Sequence, residues 1–115
     1  MMRVKIGGRS VTSLEFVAAV RKKGVEFQAH HSGRIVLHGP REEVRKARVL
    51  LGSSPTLEAL LILEAAKEVP FIADLLEERE AILAADGLKV DALSVALALV
   101  GPGAPEDVET ETKKG

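Results

Sequence analysis

The sequence predicts a small α+β domain: a capped helix, a β-hairpin with Arg3–Ile6 available as a third strand, and then a mostly helical bundle of about four helices. Three observations carry that prediction. Residues 25–40, Val-Glu-Phe-Gln-Ala-His-His-Ser-Gly-Arg-Ile-Val-Leu-His-Gly-Pro, alternate apolar and polar positions on both sides of a Ser-Gly pair, the period that marks paired strands. Residues 12–24 open with a helix-start signature and close with a helix-stop signature. From residue 40 to residue 100 the apolar residues recur at helical spacing in four runs punctuated by Gly and Pro.

With 115 residues the chain suits one domain, expected over residues 1–100, with a charged, disordered tail over 101–115. It has no cysteine, no secretory leader pattern and no apolar run of membrane-spanning length, so the expected compartment is the cytoplasm. Absence of Asn, a single Gln and abundant Glu, Lys and Arg point to a thermophilic source. The net charge of −1 conceals a division: residues 1–50 carry eleven Lys and Arg against four Glu, whereas residues 51–115 carry five against thirteen Asp and Glu. Such a division predicts either attraction between the halves, within or between chains, or a nucleic-acid surface on the basic half.

In chain order, Arg3-Val4-Lys5-Ile6 alternates as a short strand does, and Gly7-Gly8 ends it. Thr12-Ser-Leu-Glu15 has the form of a capping box, in which the Thr12 hydroxyl takes the third amide and Glu15 reaches back to the amide of the cap. Leu14, Val17, Ala18 and Val20 then form an apolar stripe, Arg21-Lys22-Lys23 face the negative helix end, and Gly24 with Val25 has the pattern of a Schellman stop. In the hairpin a three-residue loop, His31-Ser32-Gly33, sets Phe27 against Leu37 and Ala29 against Ile35. Val25, Phe27, Ala29, Ile35 and Leu37 then share a core face, and Glu26, Gln28, His30, Arg34, Val36 and His38 share the other. A two-residue loop would turn Ile35 and Leu37 onto the polar face.

Pro40 at a first helical position and Glu42-Glu43 in the first turn start the next helix, whose inner side is Val44, Ala47, Leu50 and Leu51. Ser54-Pro55 caps a third helix to about Glu68 that is apolar on most sides and therefore central. Pro70 breaks the chain before a fourth helix, which Gly87 closes. Asp91 caps a last helix, Ala92–Val100, whose single polar residue is Ser94. An apolar circumference of that kind predicts deep packing or a homodimer interface.

Chemistry-bearing patterns are sparse. In the register above, His30 lies four residues along the strands from His38, about 13 Å at 3.4 Å per residue, too far to share a metal. Ser32 beside His31 in a tight turn has no orienting third group. Neither a metal, a cofactor nor an enzymatic reaction is expected. The helix pair about Gly52-Ser-Ser-Pro55 is no DNA reader, because its second helix offers Glu58, Glu64 and Glu68 where donors are needed. A nucleic-acid role would fall to Arg9, Arg34, Arg41, Arg45, Lys46 and Arg48 in the basic half. The polar side of the hairpin, together with an unpaired strand edge, forms a surface on which a partner segment can dock.

Residues 14–27, Leu-Glu-Phe-Val-Ala-Ala-Val-Arg-Lys-Lys-Gly-Val-Glu-Phe, followed by residues 33–40, Gly-Arg-Ile-Val-Leu-His-Gly-Pro, resemble the TubC-type N-terminal docking domain. The likeness covers roughly residues 12–40. It implies an αββαα fold, frequent dimerisation, and a hairpin that receives a short segment of a partner protein; relatives also stand at the start of plasmid and phage replication proteins. Gln28, His30, Arg34, Val36 and His38 are the residues to which the resemblance assigns partner contacts, and Glu26 shares their face. The expected function is a non-catalytic protein–protein interaction module that binds its partner at the hairpin face and is homodimeric. The alternative is a nucleic-acid-associated accessory protein of plasmid or phage type.

Overall fold

A computed structural model describes residues 3–6, 8–88, 90–100 and 106–110. Along the chain run β1 (Arg3–Ile6), β2 (Arg9–Thr12), α1 (Ser13–Lys22), β3 (Glu26–Ala29), β4 (Ile35–Pro40), α2 (Arg41–Ser53), α3 (Pro55–Ala66), α4 (Pro70–Ala85), α5 (Ala92–Leu99) and β5 (Val108–Thr110). The class is α+β, with two hairpins flanking α1, four successive helices after them and a last strand at the far end.

Local chemistry sets the frame. The Thr12 hydroxyl accepts from the Glu15 amide at 3.1 Å, and the Thr12 amide donates to Glu15 Oε1 at 2.8 Å, so the box closes in both directions. At the other end of α1, Gly24 sits at φ +87° and the Val25 amide donates to the Val20 carbonyl at 3.1 Å, the Schellman stop. Val25, fully buried, then leads into the hairpin. Its loop is His31-Ser32-Gly33: Ala29 pairs with Ile35, Phe27 with Leu37 and Glu26 with His38. Gly33 takes φ +90°, and a Cβ there would lie 3.1 Å from Leu99 Cδ1, so the turn requires glycine for conformation and for its fit against α5.

α3 is the central helix. Leu57, Ala59, Leu61 and Ile62 are buried, and α1, α2, β4, α4 and α5 all pack on it. α5 is covered within the chain by α3 and α4: Val95 and Ala96 are buried, while Leu93, Leu97, Leu99 and Val100 are half-buried against the core. The premise for a dimer through Ala92–Val100, an apolar circumference that one chain leaves bare, is thereby removed.

Two expectations are corrected. Arg3–Ile6 does not join the central hairpin; it pairs antiparallel with β2, Arg3 opposite Thr12 and Ile6 opposite Arg9, in a sheet of its own. Closing so short a loop costs far less chain entropy than reaching a strand twenty residues away. The third strand of the hairpin sheet comes from the far end. β5 pairs in parallel with β4, His38 beside Val108, Gly39 beside Glu109 and Pro40 beside Thr110. Residues 106–110 of the expected disordered tail are therefore ordered, because β4 offers them an unpaired edge and α2 offers them cations. The rest of that tail, residues 101–105 and 111–115, lies outside the described residues.

Candidate interaction site on the hairpin

The two outer edges of the hairpin follow from the pairing. The His30 amide donates to the Arg34 carbonyl at 2.9 Å, which makes 30 and 34 a hydrogen-bonded pair. By alternation Gln28 with Val36 and Glu26 with His38 also face each other through their backbones. The peptide groups of Phe27 and Ala29 consequently point away from β4, and those of Ile35, Leu37 and Gly39 point away from β3. Sheet order is β3-β4-β5, so among the described residues no strand pairs with the outer edge of β3.

The edge of β4 is closed by the chain itself. The Leu37 amide donates to Asp107 Oδ1 at 2.9 Å, and the Ile35 carbonyl accepts from Arg48 Nη2 at 2.7 Å. Arg48 also grips Asp107 as a fork, Nε to Oδ2 at 2.8 Å and Nη2 to Oδ1 at 2.6 Å. One and two turns earlier on α2, Arg45 and Arg41 hold the two oxygens of Glu109 at 3.3 and 3.5 Å. Hydrogen bonding from Asp107 raises the Arg48 guanidinium above its ordinary value against the cost of burial, and the charges of Asp107 and Glu58 add to it. Arg48 is a fixed cation at every pH at which the fold exists.

Beneath this lies a buried ion pair. Arg34 Nε donates to Glu58 Oε2 at 2.6 Å and Nη2 to Oε1 at 3.3 Å, with Arg48 Nη1 3.8 Å from the same carboxylate. Arg34 and Glu58 are 8% and 3% exposed. Burial without such a partner would cost several kcal/mol for either charge, on the order of 3–5. Hairpin, α3, α2 and tail are thus joined through one chain of charges, Arg34, Glu58, Arg48 and Asp107.

This network corrects the expected contact surface. Arg34 and Val36, placed on the outer face by alternation, are buried along with Ile35 and Leu37, so β4 is covered on both faces. Of the other residues on that face, Glu26 and Gln28 are exposed and His30 and His38 are half-buried. The basic set fares similarly. Arg34, Arg41, Arg45 and Arg48 meet carboxylates of the same chain, as does Lys46, 3.5 Å from Glu43. Arg9 is exposed and, with Arg3, helps to hold the Glu15 carboxyl below its usual range, after the larger effect of the Thr12 amide.

At the edge of β3 the surface opens into a groove of about 260 Å³ between α1, β3 and α3. Leu14, Val17, Phe27, Leu61 and Val69 line it, and Arg21, Glu64 and Glu68 stand around it. Leu14, 50% exposed, offers an apolar side chain at its mouth. In the loop, His30 Nδ1 lies 2.8 Å from Ser32 Oγ and accepts from the Ser32 amide at 3.1 Å, while the His30 and His31 rings stack at 3.9 Å. His30, not the adjacent His31, is thus the histidine that meets Ser32, and the contact closes the turn. Among the described residues no three metal-ligating side chains converge.

Sequence reasoning missed Glu58, Asp107 and Glu109. Signals for all three were present: Glu58 is a lone carboxylate inside an apolar run, Leu57 to Leu63, and Asp107-Val108-Glu109 alternates. The opposite charges of the two halves anticipated the contact without locating it. Among the described residues no single helix is long and apolar enough to cross a membrane. Comparison with protein-family models, curated proteins and solved structures returned no match for the chain.

Proposed function

We propose that the chain is a non-catalytic protein–protein interaction module, in which a partner's extended segment docks along the outer edge of β3. The observation that carries this reading is the coincidence of two features: the outward peptide groups of Phe27 and Ala29, and the groove of about 260 Å³, with an apolar floor and charged walls, onto which that edge opens. An added strand gains main-chain hydrogen bonds from the edge, and its alternate side chains enter the groove. Glu26 and Gln28, exposed on the same strand, and Arg21, Glu64 and Glu68 around the groove supply selectivity.

A nucleic-acid role finds less support, because the arginines of α2 that would meet phosphates already face Asp107 and Glu109. The test begins with a partner isolated on the tagged chain and identified by mass spectrometry, then titrated calorimetrically. Leu14→Glu combined with Gln28→Lys changes two exposed side chains beside the edge, so the fold is expected to persist. A docked segment is expected to lose at least tenfold in affinity, about 1.4 kcal/mol. Unchanged affinity with an intact circular dichroism spectrum overturns the reading.

A further inference from the structure

The outer edge of β4 is a second surface of different chemistry. Its determinants are the Leu37 amide, the Arg48 fork and the Arg41–Arg45 pair, which together accept an extended segment bearing a carboxylate, one intervening residue and a second carboxylate. Residues Glu106–Thr110 satisfy all of these; Asp107 is half-buried, but Glu106 and all three residues of β5 are exposed, Val108 to 45%. The strand is three residues long, and no apolar side chain anchors it in the core. What holds it is charge and main-chain pairing, both of which another acidic strand offers equally well.

We infer that the β4 edge is a receptor for an extended Asp-x-Glu segment of a partner protein, and that the chain's own residues 106–110 occupy it as an internal competitor. An arginine fork and a main-chain amide on one carboxylate fix the register, and the Arg41–Arg45 pair reads the second acid. Specificity therefore lies in the spacing of the two acids and in the extended conformation. This surface lies on the opposite edge of the sheet from the docking proposed at β3.

The probe is a fluorescein-labelled peptide with the sequence of residues 104–111, Ala-Pro-Glu-Asp-Val-Glu-Thr-Glu, followed by anisotropy against full-length protein. Asp107→Ala with Glu109→Ala releases the internal strand. The peptide is expected to bind that variant at least about tenfold more tightly than wild type, since a tethered competitor lowers the apparent affinity. A peptide with Asn and Gln in place of its central Asp and Glu is expected to lose at least about tenfold. Adding Arg41→Glu and Arg45→Glu, both exposed on α2, should abolish binding of the acidic peptide and restore it for a peptide with Lys at the second acid.

Four results overturn the inference. Equal affinity for wild type and the released variant means that residues 106–110 do not compete. No binding to a folded released variant, or loss of folding on release, means that β5 is fixed structure. Tail-dependent dimerisation of wild type in sedimentation means that the occupant is a second copy. None of these touches Leu14 or Gln28, so the β3 reading stands or falls separately.

Discussion

Two glycines and one glutamate show how single residues fix the frame that carries the site. Gly24 and Gly33 are both left-handed, at φ +87° and +90°, but their surroundings differ. A Cβ at Gly24 meets Pro40 Cδ at 3.5 Å, an ordinary contact, whereas at Gly33 it meets Leu99 Cδ1 at 3.1 Å and Leu75 Cδ1 at 3.4 Å. Gly24→Ala is expected to cost about 1 kcal/mol, the left-handed penalty alone. Gly33→Ala is expected to cost more, and paired urea titrations check the order. Glu15 makes a prediction in pH. Its folded pKa is depressed, chiefly by the Thr12 amide, so its contribution is present at neutral pH and is lost as pH falls through the folded value. The melting difference between wild type and Glu15→Ala is therefore expected to hold steady near pH 7 and to shrink in acid.

Among the elements, α1 and the hairpin were legible because cap, stop and turn are local signals within residues 12–40 that agree with one another, whereas the expected stripe was only partly right: Val20 is buried and Val17 half-buried, but Leu14 and Ala18 are exposed and Phe16 takes the inner face. The helices were legible for the same reason, through Ser54, Pro70 and Asp91 at their starts. What alternation could not show was which side of a strand stays open. It put Arg34 and Val36 on the opposite face from Ile35 and Leu37, but β4 is covered on both faces, and a period of two says nothing of a second layer. Nor could Arg3–Ile6 and Val108–Thr110 be assigned to a sheet, since short strands carry no label for their neighbours. The buried pair makes the sharpest prediction at this scale. Arg34→Ala leaves Glu58 with the more distant Arg48 and is expected to cost about 3–5 kcal/mol, whereas Arg34→Met with Glu58→Leu is expected to be close to neutral. Denaturant midpoints that fall equally for both would mean that shape, not charge, decides the site.

At the scale of the molecule, the division of charge becomes a closure: an acidic strand from the far end lies on the basic helix that follows the hairpin, and among the described residues one sheet edge is paired and the other is not. Leu97, half-buried against the core, is expected to act within one chain, so Leu97→Glu should lower the unfolding midpoint by the same amount at every protein concentration. A shift that grows on dilution would instead place Leu97 between chains. The central claim, that a partner segment adds to the free edge of β3, is tested most directly by residue-resolved hydrogen exchange with and without the isolated partner. Amides of Gln28 and His30, which face β4, are expected to be protected in both states, while those of Phe27 and Ala29 exchange readily in the free chain and become protected in the complex. Partner binding that leaves Phe27 and Ala29 exchanging as before would contradict it.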